Sequence, residues 1–256
     1  RGCKRRIESL FSQKSDFKAG QVKNRGEFMI IITQAVSAAI AAAILAYLAA
    51  NGRRNRSTFS YMLCVFLLML WHIAEIGVFL AKDSVQEMIA LKIKFLPVVY
   101  IGASWLYFCL STVHSRLVDN KGFIWMLFTF PAICYMFMVT NEFHHLFFRE
   151  VIFKTKVFRG PVFWVHTAES YICILFGTYY LFTNMTKKLG KNSRERNWLL
   201  MAVLLPMAAN ALMLINVFPN RGLDITSHVM LFTMIFFGVA VYQKRFLNLI
   251  PVAARD

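Results

Sequence analysis

The chain has 256 residues, of which 58% are hydrophobic and 15% aromatic, with 25 phenylalanines and a mean hydropathy of +0.52. Soluble domains run at roughly half apolar and about a quarter charged residues, so this chain has too little polar side chain to cover a water-facing surface. The formal charge of +16 would suit nucleic acid in a soluble protein, but here the Lys and Arg residues cluster between apolar runs, the pattern that orients a chain across a bilayer.

Residues 1–28 come first, a basic segment with eight Lys and Arg. Two accounts of it are open: a true basic tail, or a reading frame translated from Met29. The codons of "RGEF" can supply a purine-rich ribosome-binding stretch just before Met29, which favours the second account. The segment is too long for the charged start of a signal peptide and has no small-residue cleavage site.

Seven segments then approach the roughly 20 apolar residues that a helix needs to cross the hydrocarbon. They are 28–50, 59–81, 95–113, 122–140, 162–183, 197–218 and 225–242. A spanning segment must bond its own backbone, so each is expected to be a helix. Pro97, Pro131 and Pro206 fall inside or at the edge of segments, where they kink or start helices. The connections are short and predict antiparallel neighbours. The fold class is therefore all-α, a polytopic bundle of seven transmembrane helices over residues 29–243, followed by an exit linker at 244–256. The cysteines occur singly, with no metal-ligand spacing, and read as reduced packing residues.

Sorting the loops onto two sides gives thirteen Lys and Arg on one and eight on the other. The first side holds the C-terminus and is expected to be cytoplasmic. The N-terminus then lies outside, and the protein is a multi-pass cell-membrane protein. Lys82, Lys92 and Lys94 are assigned to an outer loop in this scheme.

With that topology, His72 and Glu75 in "WHIAEIG" (71–77) lie in the outer half of the second helix. His166 and Glu169 in "WVHTAES" (164–170) lie in the outer half of the fifth. Asn210 and Asn216 fall in the outer half of the sixth, and Asp224 and His228 at the outer end of the seventh. Residues three apart share a helix face, so each His-x-x-Glu is expected to be a local pair. A carboxylate deep in a bilayer costs about 2.5–3.5 kcal/mol on insertion scales, a cost reduced by a histidine partner or a wet cavity. Three readings fit: hydrogen bonds holding the bundle together, a ligand pocket, and metal or proton chemistry. The candidate ligand-binding set is His72, Glu75, Trp105, His166, Glu169 and Asn210, with Trp71, Tyr100 and Tyr107 as further pocket walls or core residues.

No metal site is expected. Carboxylate-bridged di-iron bundles need Glu-x-x-His on two helices and further glutamates; here the order is reversed and the extra carboxylates are missing. His144 and His145, adjacent in a loop, are weak ligand candidates. No nucleophile–base motif or phosphate loop occurs, so the chain does not read as an enzyme, and no cofactor is implied.

Four stretches carry a family resemblance: "FLPVVYIGASWLYFCL" (95–110), "TNEFHHLFF" (140–148), "GPVFWVH" (160–166) and "KRFLNLIPVAARD" (244–256). Their order and spacing, over residues 29 to 256, resemble the N-terminal seven-transmembrane sensor region of bacterial histidine kinases. The resemblance implies a membrane-embedded input module of a two-component system, which passes a signal from the outer side to a cytoplasmic output. The exit carries Lys244, Arg245, Pro251 and Arg255 and would lead to a PAS domain, a kinase core or a cyclic-dinucleotide synthase. The expected partners are the lipid bilayer, a signal ligand of unknown identity and a cytoplasmic output domain or kinase; a homodimer is left open and nucleic acid is not expected. A small multi-pass transporter or channel is the alternative, which would favour polar residues through the full membrane depth.

Overall fold

The computed structural model describes residues 28–52, 54–189, 208, 211–212 and 225–242. Four long apolar helices open the chain: α1 (Phe28–Asn51), α2 (Arg56–Leu80), α3 (Ser84–Thr112) and α4 (Lys121–Val139). A short α5 (Asn141–His144) and a two-stranded hairpin, β1 (Phe148–Ile152) and β2 (Lys156–Arg159), lead into α6 (Pro161–Leu189). The last described helix is α7 (Ile225–Tyr242). The polytopic helical bundle anticipated from the apolar segments is present. Of the sixth expected span only residues 208, 211 and 212 are described, and all three are helical.

Asx side chains set the helix starts by accepting from backbone N–H groups that have no partner inside the helix. Asn55 Oδ1 accepts from Thr58 N at 2.8 Å, Asp83 Oδ1 from Gln86 N at 2.8 Å and Asn120 Oδ1 from Phe123 N at 3.2 Å. The Asp83 cap corrects one boundary. The third helix begins at Ser84, not near residue 95, so Lys92 and Lys94 stand on a helix and not in a loop. The apolar run starts only at Phe95, and the polar turns before it are helical because they pack against the hairpin segment and α2. Pro97 and Pro131 both lie inside helices.

The helix at the centre is α3. In its apolar core 67% of residues are buried, against 22% in α1 and in α4. It packs extensively on both α2 and α6, which make little contact with each other. Two glycines allow the close approach of α3 to α6. A Cβ on Gly102 would lie 2.8 Å from the Ser170 Cα, and one on Gly177 would lie 3.1 Å from the Leu106 Cα. Small residues serve this purpose between membrane helices, where close backbone contact replaces the missing hydrophobic drive. On α1 the buried residues Gln34, Ala41 and Leu48 recur every seven positions, giving one inward stripe. Ile44 and Leu45 pack beside that stripe, while Ile32, Val36 and Tyr47 face outward. Trp71 and Trp105 share the main core cluster with residues of α1, α6 and α7. Tyr100 and Tyr107 both meet Phe128 of α4; Tyr100 also packs against the cluster that holds the two tryptophans, whereas Tyr107 packs against a separate one around Ala103 and Leu106.

Ion pairs sit at both ends of the bundle. At one end Arg56 Nη1 lies 2.6 Å from Asp119 Oδ1, and Ser57 and Thr112 hydroxyls are 2.9 Å apart. At the other, Lys92 Nζ reaches both carboxylate oxygens of Glu142, at 2.5 and 2.7 Å. Nineteen residues separate Arg56 from Glu75 on α2, about 28 Å at the helical rise. That is close to the hydrocarbon thickness of ~30 Å, which puts Glu75 near the hairpin-side boundary. The Tyr61 hydroxyl donates to Met234 O at 2.6 Å while His72 meets His228, so α7 runs antiparallel to α2, from the hairpin side to the opposite side. Trp125 on the first turns of α4 and Trp164 on the first turn of α6 are exposed at the two ends, as in paired interfacial belts.

The Lys92–Glu142 pair depresses the Glu142 carboxyl below its ordinary value, the hydrogen bond from Lys92 being the largest cause. A depressed folded-state value stabilises above the unfolded value of about 4.3 and is lost as pH falls through the folded one. Protection of the amides of residues 141–147, relative to their intrinsic exchange rates, is therefore expected to fall as pH drops through the carboxylate range, and Glu142→Gln is expected to remove that acid dependence.

Candidate functional site

A polar cluster forms where four helices meet near the hairpin side. It begins on α1 with Gln34, buried to 1% exposure. The Gln34 side-chain amide lies 2.5 Å from His72 Nδ1, within hydrogen-bond distance. The His72 ring, fully buried, meets the ring of His228 on α7 edge-on with centroids 5.1 Å apart. One turn along α2, Glu75 Oε2 pairs with Lys94 Nζ of α3 at 2.6 Å, their side chains 4% and 14% exposed. Trp71, on the same face as Glu75, is buried, and among the described residues its Nε1 has no hydrogen-bond partner; the same holds for His228 Nε2. Each such orphan costs about 1–3 kcal/mol.

His72 and Glu75 each make a longer-range contact, with Gln34 and with Lys94. A carboxylate gains more from a full cation than from an imidazole, and Lys94 is within reach because α3 extends to Ser84. Gln34 and Lys94 were not among the candidate residues. Gln34 was legible as a lone amide in an apolar run, and Lys94 could be placed only once the helix boundary was known.

The second His-x-x-Glu does form a local contact. His166 Nδ1 lies 3.9 Å from Glu169 Oε2 on α6. Glu169 also accepts from Ser170 Oγ at 3.4 Å and from Cys173 Sγ at 3.2 Å. The His166 ring stacks on Phe147 with centroids 6.4 Å apart. This group belongs to the α6 side of α3, whereas His72 and Glu75 belong to the α2 side. The two motifs therefore make two clusters with α3 between them. Trp105 bridges the helices, donating from Nε1 to Thr178 Oγ1 of α6 at 3.3 Å while packing beside Trp71. Asn210, Asn216, Asp224 and the exit residues Lys244, Arg245, Pro251 and Arg255 lie outside the described residues. Among the described residues no three His, Cys, Asp or Glu side chains are grouped to hold a metal ion.

Above both clusters the α4–α6 connection is a built substructure. Buried Asn141 receives the N–H groups of Phe147 and Phe148 on Oδ1, both at 2.9 Å, and donates to Phe148 O at 3.0 Å. Phe147 and Phe148 pack edge-on against Phe95 of α3. At the hairpin tip Lys154 takes a left-handed φ of 50°. Its N–H donates to Glu87 Oε2 of α3 at 3.0 Å, and its Nζ to Phe79 O of α2 at 3.1 Å. Gly160 closes the loop: a Cβ there would lie 2.1 Å from the Leu146 oxygen. α3 therefore joins the hairpin through Glu87, α5 through Lys92 and the buried cluster through Lys94.

Long lipid-length helices, small-residue helix contacts and a polar network gathered near one end define a multi-pass α-helical membrane protein without the grouped ligands of a metalloenzyme among its described residues. The family model for the N-terminal 7TM region of histidine kinase matches residues 34–251. The chain belongs to that family, the membrane sensor region of histidine kinases, and no kinase domain is found in it. Among curated proteins and among solved structures nothing matches.

Proposed function

We propose that this chain is the input module of a signalling protein, and that its signal acts on the Gln34–His72–His228 and Glu75–Lys94 cluster from the hairpin side. The observation that carries the reading is the buried ion pair and imidazole pair contributed by α1, α2, α3 and α7. Ionisable groups in the membrane are costly and rare without a function, and a donor such as Trp71 Nε1, which has no partner among the described residues, is satisfied when a ligand or water supplies the acceptor. The hairpin side is the outside in this reading, and the C-terminal end of α7 faces the cytoplasm.

α7 supplies the route. It contributes His228 to the cluster and runs to the opposite side, so a signal that favours one of two α2–α7 arrangements moves the exit toward an attached output domain. A ligand with equal affinity for both arrangements would shift nothing. The second cluster, His166 and Glu169, tunes the same equilibrium through α3. The test is Glu75→Gln and Glu169→Gln, separately, in the chain joined to a kinase output. Glu75→Gln is expected to abolish the signal-dependent change in autophosphorylation, and Glu169→Gln to shift its set point. Unchanged signalling in a normally inserted Glu75→Gln protein rejects the site.

A further inference from the structure

We propose that the exposed face of the β1–β2 hairpin binds anionic lipid headgroups of the membrane that the bundle spans. The hairpin is held firmly enough to present a defined surface. Its inner residues Phe148, Val151 and Val157 pack on Phe95, Val99 and Phe163, and its tip is tied to Glu87 and Phe79. The outer face combines cations with apolar side chains in a way that water alone does not favour. Arg149 and Lys156 are exposed, beside Ile152 at 41% and Phe158 at 38% exposure. The pairing register shifts between Phe148 and Glu150, and such an irregularity re-aims the side chain it contains, here Arg149. Lys156 Nζ lies 4.9 Å from the Phe158 ring centroid.

Charge argues for an anionic partner. Between Phe148 and Arg159 four cations face one carboxylate, Glu150. Lys154 is committed to Phe79 O, and Arg159 lies over the rings of Phe163 and Trp164 at 5.3 and 5.9 Å. Arg149 and Lys156 make no ion pair with a carboxylate among the described residues.

Position selects the lipid surface over a soluble acidic partner. Trp164, 48% exposed on the first turn of α6, is at the level where an indole sits between headgroup and acyl chain. Arg159 touches that indole, so β2 enters the membrane directly and its outer face has the headgroup layer within side-chain reach. Basic residues with neighbouring Phe and Ile are the composition that engages such a layer, the cations on phosphate and the apolar groups at the acyl boundary. This inference stands independently of the signalling role proposed above.

Hydrogen exchange of the hairpin amides, 149–158, tests it with the whole chain in nanodiscs of phosphatidylcholine carrying increasing phosphatidylglycerol. Protection is expected to rise with the anionic lipid and to weaken at high salt. Each basic group near such a surface is worth about fivefold, so the double variant Arg149→Gln/Lys156→Gln should bind the anionic surface roughly 25-fold more weakly and lose most of that protection. Unchanged exchange in α3 will establish that the variant is folded. Equal hairpin exchange at every lipid composition overturns the proposal, as does a double variant that behaves like the parent. Inorganic phosphate giving the same protection in detergent would identify a free-anion site and overturn the lipid assignment. Protection by poly-glutamate but not by lipid would assign the face to an acidic protein partner and also overturn it.

Discussion

Glu75→Leu is expected to destabilise the bundle by about 3–5 kcal/mol, because it removes the carboxylate that pairs with Lys94 in a nearly dry site. The side chains are 4% and 14% exposed and 2.6 Å apart, so little water can replace the lost partner. Lys94→Leu should cost a similar amount by removing the ammonium that pairs with Glu75. The double variant Glu75→Leu/Lys94→Leu is expected to recover most of the loss, since removing both charges also removes their desolvation cost. Thermal unfolding of the four proteins in one detergent measures the coupling as a double-mutant cycle. If the double variant is as unstable as the sum of the singles, the two residues do not act as a pair. Its signalling should nevertheless be lost, which would separate the pair's role in function from its role in stability.

Phe147→Ala is expected to cost about 3–5 kcal/mol, in the range for truncating a fully buried phenylalanine. The ring is 0% exposed and makes edge-on contacts with Phe95, Phe148 and Phe163 at 5.1 to 5.8 Å. It also stacks on His166. The void would open between the hairpin and the ends of α3 and α6, so the loss should be local before it is global. Faster amide exchange in residues 146–160, with α2 unchanged, is the expected pattern. Uniform exchange through the whole bundle would mean that the hairpin and α3 unfold as one unit, and that the aromatic cluster is not a separable joint.

These two sites differ in how far the sequence alone discloses them. Long apolar runs must be helices in a bilayer because no other open backbone can satisfy its own hydrogen bonds there, so the spans were legible from hydropathy. The hairpin was not anticipated, although "FREVIFKTKVFRG" (148–160) carries alternating β-branched and aromatic residues, a Lys-Thr-Lys turn and a closing glycine. Two short strands have no stability of their own. They exist here because Asn141, Glu87 and the Phe95 cluster hold them, and the contacts to Glu87 and Phe95 are distant in sequence. The start of α3 was missed for a related reason: its first turns are polar, and only packing against α2 and the hairpin keeps them helical.

The polar cluster divides in the same way. Sequence determined that His72, Glu75, His166 and Glu169 are unusual, because the cost of placing such groups in hydrocarbon depends on composition and depth alone. The family resemblance was also legible there, in the four stretches at 95–110, 140–148, 160–166 and 244–256, and the family model matches residues 34–251. Partner choice was decided only by the tertiary structure. Gln34 meets His72, Lys94 meets Glu75 and α3 separates the two His-x-x-Glu motifs. Helical periodicity fixes which residues share a face, whereas the neighbour across that face depends on how the helices cross, a property of the packed bundle and not of any one segment.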